Sequence, residues 1–163
     1  MKGRLVVLCG IPGSGKTTIA KHIANCFKDS ILIETDSVRK MLARPSFSPD
    51  ESKFVYNACF VIAKEALKAG YFVLLDGTFL REEYRQEARR VLRRYYGRAD
   101  TVWVRCGLET ALERNSARNA VVPAVKVQAM FDAFEPPRTA VRVDSSRMTP
   151  ESASRRVVIA LTR

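Results

Sequence analysis

The feature that most constrains this chain is a glycine-rich segment near its beginning, Gly10 to Thr17, with the sequence GIPGSGKT. It fits the pattern G-x-x-x-x-G-K-[ST] and directly follows the apolar run 5–9, which predicts a short buried strand. Backbone N–H groups can turn inward around an anion only where no side chain blocks the approach, which explains glycine at positions such as Gly13 and Gly15. The segment therefore predicts a phosphate-binding loop between a strand and a helix.

The other positions of the loop also have chemical tasks. Lys16 supplies a mobile positive charge for the β- and γ-phosphates, and the Thr17 hydroxyl is a ligand for Mg²⁺. A chance match in a turn is the alternative, but it requires several uncommon residues at fixed spacing, and glycine makes up only about 7% of average sequences. We therefore predict that a nucleoside triphosphate is bound by Gly10, Pro12, Gly13, Ser14, Gly15, Lys16, Thr17 and Thr18.

Apolar runs of strand length recur along the chain, with helical patterns between them. They lie at 5–9, 31–33, 72–75, 102–104 and 140–143. Alternating strands and helices predict a mainly parallel sheet of five strands covered on both faces, which is a three-layer α/β/α sandwich. With 163 residues, the chain fits a single domain spanning 1–163.

Several helix signals support this arrangement. Ser48 and Glu51 have the S-x-x-E spacing of a capping box, and Thr149 before Pro150 repeats a polar cap followed by proline. A further helix is predicted over 81–96 from apolar residues at helical spacing.

Four arginines recur every four residues along this last helix. Such a stripe could follow a phosphate backbone, but a solvated face paired with nearby glutamates is the favoured interpretation. The four are Arg81, Arg85, Arg89 and Arg93.

The charge of the chain favours an anionic partner. Lys and Arg number 28 against 17 Asp and Glu, so the formal net charge is +11. This excess raises the expectation of a polyanionic partner such as nucleic acid. A basic surface combined with an anion-handling site for small phosphorylated or sulfated molecules remains open.

The cysteines do not form a metal-binding pattern. Cys9, Cys26, Cys59 and Cys106 include no C-x-x-C pair, and His22 is the single histidine, so a structural zinc site is not predicted. We expect buried thiols in a reducing compartment. No stretch approaches about 18 apolar residues, so we predict a cytoplasmic protein without a membrane partner.

Two aspartates follow predicted strands at the edge where ligands bind in open α/β sheets. Asp36 could accept the proton of an attacking hydroxyl, or it could cap a helix over 37–43. Asp76 ends an apolar strand and is predicted to help hold Mg²⁺ rather than only to form an Asp-Gly turn. Thr78 could add a hydroxyl contact to the acceptor.

A third cluster of polar residues lies at the end of a helix that begins near Leu108. Arg114 and Arg118 are four residues apart and would share one helix face, where they could close over a triphosphate. An ordinary exposed pair of arginines is the alternative.

Taken together, these motifs resemble the small P-loop kinases that include phage-type polynucleotide kinase and the archaeal seryl-tRNA kinase domain. The similarity rests on GIPGSGKT, on TDSVR at 35–39, on VLLDGT at 73–78, and on RNSAR at 114–118 followed by Val-Pro. It implies a P-loop nucleoside triphosphate hydrolase fold, with ATP and Mg²⁺ as cofactors. It also implies that Asp36 is the general base and that Arg39 holds the acceptor's phosphate. Arg114 and Arg118, in a lid at about 108–124, would contact the nucleotide and the transferring phosphoryl group.

The chain departs from these families at two points. The D-T-N motif of the phage-type enzymes is replaced by D-G-T-F at 76–79, and the additional tRNA-binding domain of the seryl-tRNA kinase has no counterpart before Arg163. Segments at 79–85 and 134–137 are similar to stretches of adenylylsulfate kinases.

The sequence therefore predicts an ATP-dependent kinase that phosphorylates a hydroxyl group. The favoured acceptor is a polynucleotide 5′-hydroxyl or another RNA hydroxyl, and the alternative is a small molecule of the adenylylsulfate type. A nucleotide-dependent switch without enzymatic activity is a second alternative, although the guanine-reading N-K-x-D motif is absent from the sequence. The catalytic residues would be Lys16, Asp36 and Arg118; Arg39 and Thr78 would bind the acceptor, and Thr17 and Asp76 the metal.

Overall fold

The computed structural model describes residues 3–46, 48–117 and 122–163. Its strands are β1 (Gly3–Cys9), β2 (Ser30–Glu34), β3 (Phe72–Asp76), β4 (Tyr96–Arg105) and β5 (Val141–Asp144). Its helices are α1 (Lys16–Ala24), α2 (Thr35–Arg39), α3 (Pro49–Lys68), α4 (Glu82–Leu92), α5 (Leu108–Ser116), α6 (Ala124–Asp132) and α7 (Pro150–Thr162). None of these helices is both long and apolar enough to cross a membrane.

The strands form one parallel sheet in the order β2-β3-β1-β4-β5. The register places Asp76 beside Leu8 of β1 and beside Glu34 of β2, so the carboxyl ends of these three strands are level. Because the phosphate loop follows β1 in the middle of the sheet, its immediate neighbours are the segments that follow β3 and β4, and the segment that follows β2 lies one strand further away. The predicted five-stranded parallel sheet is confirmed.

Helices cover both faces of the sheet. Alternate residues of β1 point in opposite directions: Leu5 and Val7 pack with α3 and α4, whereas Val6 and Leu8 pack with α1 and α7. All four side chains are fully buried, as expected for a central strand between two helical layers. The predicted three-layer α/β/α sandwich is therefore confirmed.

The predicted solvated face of the arginine-rich helix is wrong at its centre. The helix is shorter than predicted because β4 begins at Tyr96, and the side chain of Arg85 is fully buried. Its guanidinium donates hydrogen bonds to the carbonyl oxygens of Phe79 and Glu135, each at 2.6 Å, and to Glu82 Oε2 at 2.8 Å. Burial is tolerated because the planar group satisfies several acceptors at once.

The predicted helix over 37–43 is also misplaced. Helix α2 begins at Thr35 and ends at Arg39, so Asp36 lies in its first turn rather than at its N-cap, which is Glu34. The caps predicted for two other helices are present, since Ser48 and Thr149 each accept a backbone hydrogen bond.

The prediction of buried cysteines holds for three of the four. Cys9, Cys59 and Cys106 are buried, whereas Cys26 is exposed. Burial raises the pKa of the Cys9 thiol to about 12 and that of Cys59 to about 11, so both thiols stay protonated at neutral pH.

Candidate active site

The phosphate loop has the backbone conformation that its glycines predict. Gly13 and Gly15 have positive φ angles of 83° and 81°, in the left-handed region that favours glycine. A Cβ atom at Gly13 would lie 2.1 Å from the carbonyl oxygen of Ala111, so α5 packs directly against the loop. Gly15 is the N-cap of α1 and makes no side-chain cap, which leaves the first amides of the helix facing the loop.

Lys16 is largely buried within the loop. Its side-chain nitrogen lies 3.5 Å from the carbonyl oxygen of Ile11, a long and weak hydrogen bond. The ammonium group therefore lies beside the phosphate loop. Turning it toward a phosphate oxygen would cost only this weak hydrogen bond.

Two residues predicted to hold a metal are in contact. The Thr17 hydroxyl donates a hydrogen bond of 2.5 Å to Asp76 Oδ2. Asp76 is 3% exposed, and its Oδ1 has no hydrogen-bond partner among the described residues. Burial raises the pKa of Asp76 above its usual value, and the charge of Lys16 and the Thr17 hydrogen bond oppose that shift.

This pair fits Mg²⁺. In nucleotide sites the ion is held by few protein oxygens together with water and substrate phosphates, and the buried Asp76 Oδ1 lacks the partner that a hydrated cation would supply. No cluster of three or more His, Cys, Asp or Glu side chains that could bind a metal occurs within 3–46, 48–117 and 122–163. A magnesium ion here would therefore depend on the nucleotide for further ligands.

A cavity of about 210 Å³ lies beside the loop on the side of α2. It brings together five residues that the sequence singled out, and it adds others from α3 and α6. The residues that line it are Pro12, Lys16, Thr35, Asp36, Arg39, Tyr56, Thr78, Val122, Pro123, Lys126 and Met130.

Sequence reasoning missed Tyr56 in this cavity. Its ring stacks on Phe79 with 4.9 Å between centroids, and its hydroxyl accepts a hydrogen bond from the Phe79 backbone. Burial, opposed by that hydrogen bond, raises the pKa of Tyr56 well above its usual value, so it is not a proton acceptor at neutral pH. No local signal identifies it, because Tyr56 occupies an ordinary apolar position of an amphipathic helix.

The backbone next to Thr78 is constrained. Phe79 is fully buried and has a φ of 40°, which is rare for a residue with a side chain. The buried Arg85 binds its carbonyl oxygen, and a Cβ at Gly77 would lie 2.9 Å from the side chain of Thr35. These contacts fix the path of the chain that carries Thr78 into the cavity.

Arg39 does not extend freely into the cavity. Its guanidinium forms an ion pair with Glu51 and donates a hydrogen bond of 3.2 Å to the Ser52 hydroxyl, both in the first turns of α3. The side chains of Arg39 and Glu51 are 13% and 10% exposed. The Ser48 backbone N–H, which a capping box would direct to the Glu51 carboxylate, donates to the Ser46 hydroxyl at 3.4 Å.

The second predicted arginine site lies on the other side of the loop. Arg114 donates hydrogen bonds to the side chain and the backbone carbonyl of Ser145 at 3.0 and 2.9 Å, and the Ser145 hydroxyl donates to the carbonyl of Ser14 at 2.7 Å. A second cavity of about 290 Å³ adjoins these groups and is lined by Gly15, Thr18, Ile19, Arg114, Ser145, Met148 and Pro150. The predicted catalytic residue Arg118 lies outside the described residues.

With this geometry in place, the comparisons with known proteins identify the family. The family model AAA_33, an AAA domain, matches residues 5–137. The chain belongs to this family. The predicted relationship to P-loop kinases is thereby confirmed, since curated relatives of the chain are kinases.

One such relative is the L-seryl-tRNA(Sec) kinase of Methanococcus maripaludis, which is 23% identical over 93% of this chain and 60% of its own length. The chain thus spans less than two thirds of that protein. Another is a probable adenylyl-sulfate kinase of Pyrococcus abyssi, 27% identical over 97% of this chain and 94% of its own length.

A solved structure shares the fold. The APS kinase CysC of Mycobacterium tuberculosis, in complex with AMPPNP and APS, has a TM-score of 0.79, with 99% of each chain covered and 17% identity. At that identity the similarity supports the fold and not the substrate.

Proposed function

We propose that this protein is an ATP-dependent kinase that transfers the γ-phosphate to a hydroxyl group held in the 210 Å³ cavity. The observation that carries the proposal is that Lys16 of the phosphate loop and Asp36 of α2 line the same cavity. One residue is suited to the migrating phosphate and the other to the attacking group, and the transfer needs both close together.

The triphosphate would lie along the loop between the two cavities. The β- and γ-phosphates would meet Lys16 and the first amides of α1, and the nucleoside would extend toward Arg114 and Thr18 in the 290 Å³ cavity. Thr17 and Asp76 would hold Mg²⁺, which would supply positive charge to offset that of the triphosphate.

Phosphoryl transfer requires the protein mainly to position the reactants and to offset charge, and not to form a covalent bond itself. Asp36 would accept the proton of the acceptor hydroxyl as the new O–P bond forms and the bond between the γ-phosphorus and the β–γ bridging oxygen breaks, releasing ADP. Lys16 would offset the charge on the transferred group, and Arg118 of the lid predicted at about 108–124 stays a sequence prediction for the same task.

A hydroxyl borne by a nucleic acid is the favoured acceptor. The net charge of +11 would attract a polyanion, and the relative from M. maripaludis is named for a tRNA substrate. Thr78 and Arg39 would contact the part of the acceptor next to the reacting hydroxyl.

A small-molecule acceptor of the adenylyl-sulfate type is the second candidate. Two observations favour it: the cavity is small and bordered by α6, and the P. abyssi relative matches over 94% of its length. Both acceptors would use the same Asp36 and Lys16.

An acceptor screen tests the proposal. Mg-ATP is supplied with a 5′-hydroxyl oligonucleotide, its 5′-phosphorylated counterpart, tRNA and adenylyl sulfate, and the products are read by mass. We expect phosphorylation of the 5′-hydroxyl oligonucleotide or of tRNA and none of the 5′-phosphorylated control. Transfer to adenylyl sulfate alone would replace the favoured acceptor with the second candidate. ATP binding without transfer to any acceptor would contradict kinase activity and favour a nucleotide-dependent switch.

A further inference from the structure

A third cavity, of about 190 Å³, has no part in the proposed transfer. It adjoins the acceptor cavity, because Ile11 and Phe131 line it while their chain neighbours Pro12 and Met130 line the acceptor cavity. Among the described residues that line it, three are aromatic and none is acidic. They are Ile11, Trp103, Val104, Arg105, Cys106, Phe131, Phe134 and Pro136.

Trp103 gives this cavity a flat aromatic wall. It lies on β4 and projects from the face of the sheet opposite to Val102 and Val104, which pack with α1 and α7. Its ring stacks on that of Phe134, with 5.8 Å between the centroids and 17° between the planes. Trp103 is nevertheless only partly buried, and Phe131 is 39% exposed. A ring that is held by one neighbour and open to solvent is a rigid surface on which another flat ring can stack.

Two exposed arginines lie beside the Trp103 ring. Arg142 is its partner on the edge strand β5, and the central guanidinium carbons of Arg142 and Arg105 lie 5.6 and 6.0 Å from the ring centroid. Arg142 donates a hydrogen bond to the Pro137 carbonyl at 3.4 Å, and Arg105 lies 3.5 Å from the Asp144 carboxylate. Both distances exceed those of a good hydrogen bond, so either guanidinium can turn to an anion at little cost.

Building on the nucleic-acid acceptor favoured in the proposed function, we propose that this cavity and the two arginines form a binding site for single-stranded nucleic acid, called here the Trp103 site. A base stacks on the Trp103 ring, and neighbouring phosphates pair with Arg105 and Arg142. Because the two cavities adjoin, the stacked base belongs to a nucleotide close to the one that carries the reacting hydroxyl.

The combination of rings and cations is what favours nucleic acid. An acidic peptide would pair with the arginines and leave the aromatic wall uncovered, whereas an apolar peptide would cover the wall and leave both charges without an anion. A single strand presents a π face and a phosphate in every nucleotide, and proteins that bind such strands combine aromatic surfaces with positive charge. In a duplex the faces of the bases are covered by their neighbours, so the Trp103 site selects unpaired bases.

Trp103 is the single tryptophan of the chain, so its fluorescence reports on this site directly. The intact protein, without ATP, is titrated with a short single-stranded RNA, with the same strand made abasic, with the RNA annealed to its complement, and with an acidic peptide. We expect the intact strand to quench the emission and to bind about tenfold more tightly than the abasic strand, which keeps every phosphate. The duplex and the peptide should leave the emission nearly unchanged.

Variants separate stacking from charge. Trp103→Phe keeps a ring and should keep most of the affinity, whereas Trp103→Leu should lose about tenfold, measured by the fluorescence polarisation of labelled RNA. Arg142→Gln should weaken binding of the intact and abasic strands alike, and should lower the slope of log affinity against log salt by about 1. Arg155→Gln is the matched control, because this exposed arginine belongs to α7 on the opposite face of the sheet, and it should change neither quantity.

Three results would overturn the inference. Equal affinity for intact and abasic strands, with unchanged emission, would mean that RNA binds elsewhere through its backbone, and this measurement needs no variant. Quenching by the acidic peptide and not by RNA would assign the surface to a protein. A Trp103→Leu protein with the melting temperature and the RNA affinity of the wild type would show that the ring does not bind a base. Since no ATP is present, failure of transfer in the acceptor screen does not affect these readings, and transfer without dependence on bases would reject the Trp103 site and keep the kinase.

Discussion

The two sides of the phosphate loop are built in different ways. On the side proposed for the nucleotide, the loop is shaped by its own backbone: Gly13 and Gly15 adopt left-handed conformations, and the first amides of α1 face the loop. On the acceptor side, the geometry depends on side chains that are distant in sequence, such as Arg39 with Glu51 and Arg85 with Phe79.

We therefore expect the two sides of the loop to differ in how far amino-acid substitutions alter the molecule that is bound. A backbone cradle recognises any phosphate chain of the right length, because amides and glycines make the same contacts whatever else the molecule contains. The acceptor side is set by a few ion pairs and ring contacts, so single substitutions can alter which molecule is accepted. Relatives named for such different acceptors as seryl-tRNA and adenylyl sulfate agree with that division.

The largest expected effect lies on the nucleotide side. Lys16→Ala removes the charge proposed to offset that of the migrating phosphate, and transfer should fall by about 10²- to 10³-fold or more. Single-turnover transfer from labelled Mg-ATP measures the loss. Lys21→Ala is the control, because this exposed lysine of the same helix pairs with Glu34 and lines neither of the two cavities. Near-normal transfer in Lys16→Ala would mean that the loop is not the catalytic cradle.

The next effect should be confined to the acceptor side. Asp36→Asn removes the proposed proton acceptor and should lower transfer by about 10²-fold while ATP affinity is retained. Both quantities are measured on the same preparation, by transfer kinetics and calorimetry. Asp50→Asn is a matched control, since Asp50 also lies in the first turn of a helix but does not line the acceptor cavity. An equal loss of ATP binding in Asp36→Asn would point to a structural role.

A smaller effect tests whether backbone conformation shapes the cradle. Gly13→Ala places a Cβ against the Ala111 carbonyl in a left-handed conformation and should cost about 1–3 kcal/mol of stability. Gly107→Ala is the control, because a Cβ there has no atom within 4 Å and its φ is −65°. Urea denaturation measures both variants. Equal stability would show that the loop moves to accept a side chain.

The smallest effect concerns pH and the acceptor side. Partial burial opposes ionisation of Glu82, but hydrogen bonds and charges from Arg85 and Arg89 outweigh it, and the pKa of Glu82 lies below its usual value of 4.5. A lowered pKa in the folded state stabilises the protein above about pH 4.5, and this stabilisation is lost as pH falls through the folded value.

Urea denaturation at pH 7 and near pH 4 should therefore show a fall in the free energy of unfolding that Glu82→Gln reduces. Glu87→Gln serves as the comparison, because Glu87 pairs with the largely exposed Arg90 and water screens that pair. The same pH dependence in wild type and Glu82→Gln would show that this network does not stabilise the fold.

Individual residues show which contacts could be predicted from the sequence and which could not. Gly13, Lys16, Thr17 and Asp76 were predicted correctly as neighbours, because a strand, a glycine loop and a helix follow each other directly and parallel strands end at one edge. Arg85 was misread because its spacing is the same as that of the other three arginines of the helix. The carbonyl groups that accept its hydrogen bonds belong to Phe79 and to Glu135, fifty residues away.

The sequence alone determined the glycine-rich loop between β1 and α1, the five strands, and the edge of the sheet at which this loop lies. These depend on local backbone preference and on hydrophobic periodicity, both of which act between residues close in the chain. Tertiary structure alone decided that Arg39 is neutralised by Glu51, that Tyr56 lines the acceptor cavity and that Arg85 lies inside. Each of these depends on contacts between side chains and backbone groups that come together only in the folded, water-excluded interior, and no local sequence pattern specifies those contacts.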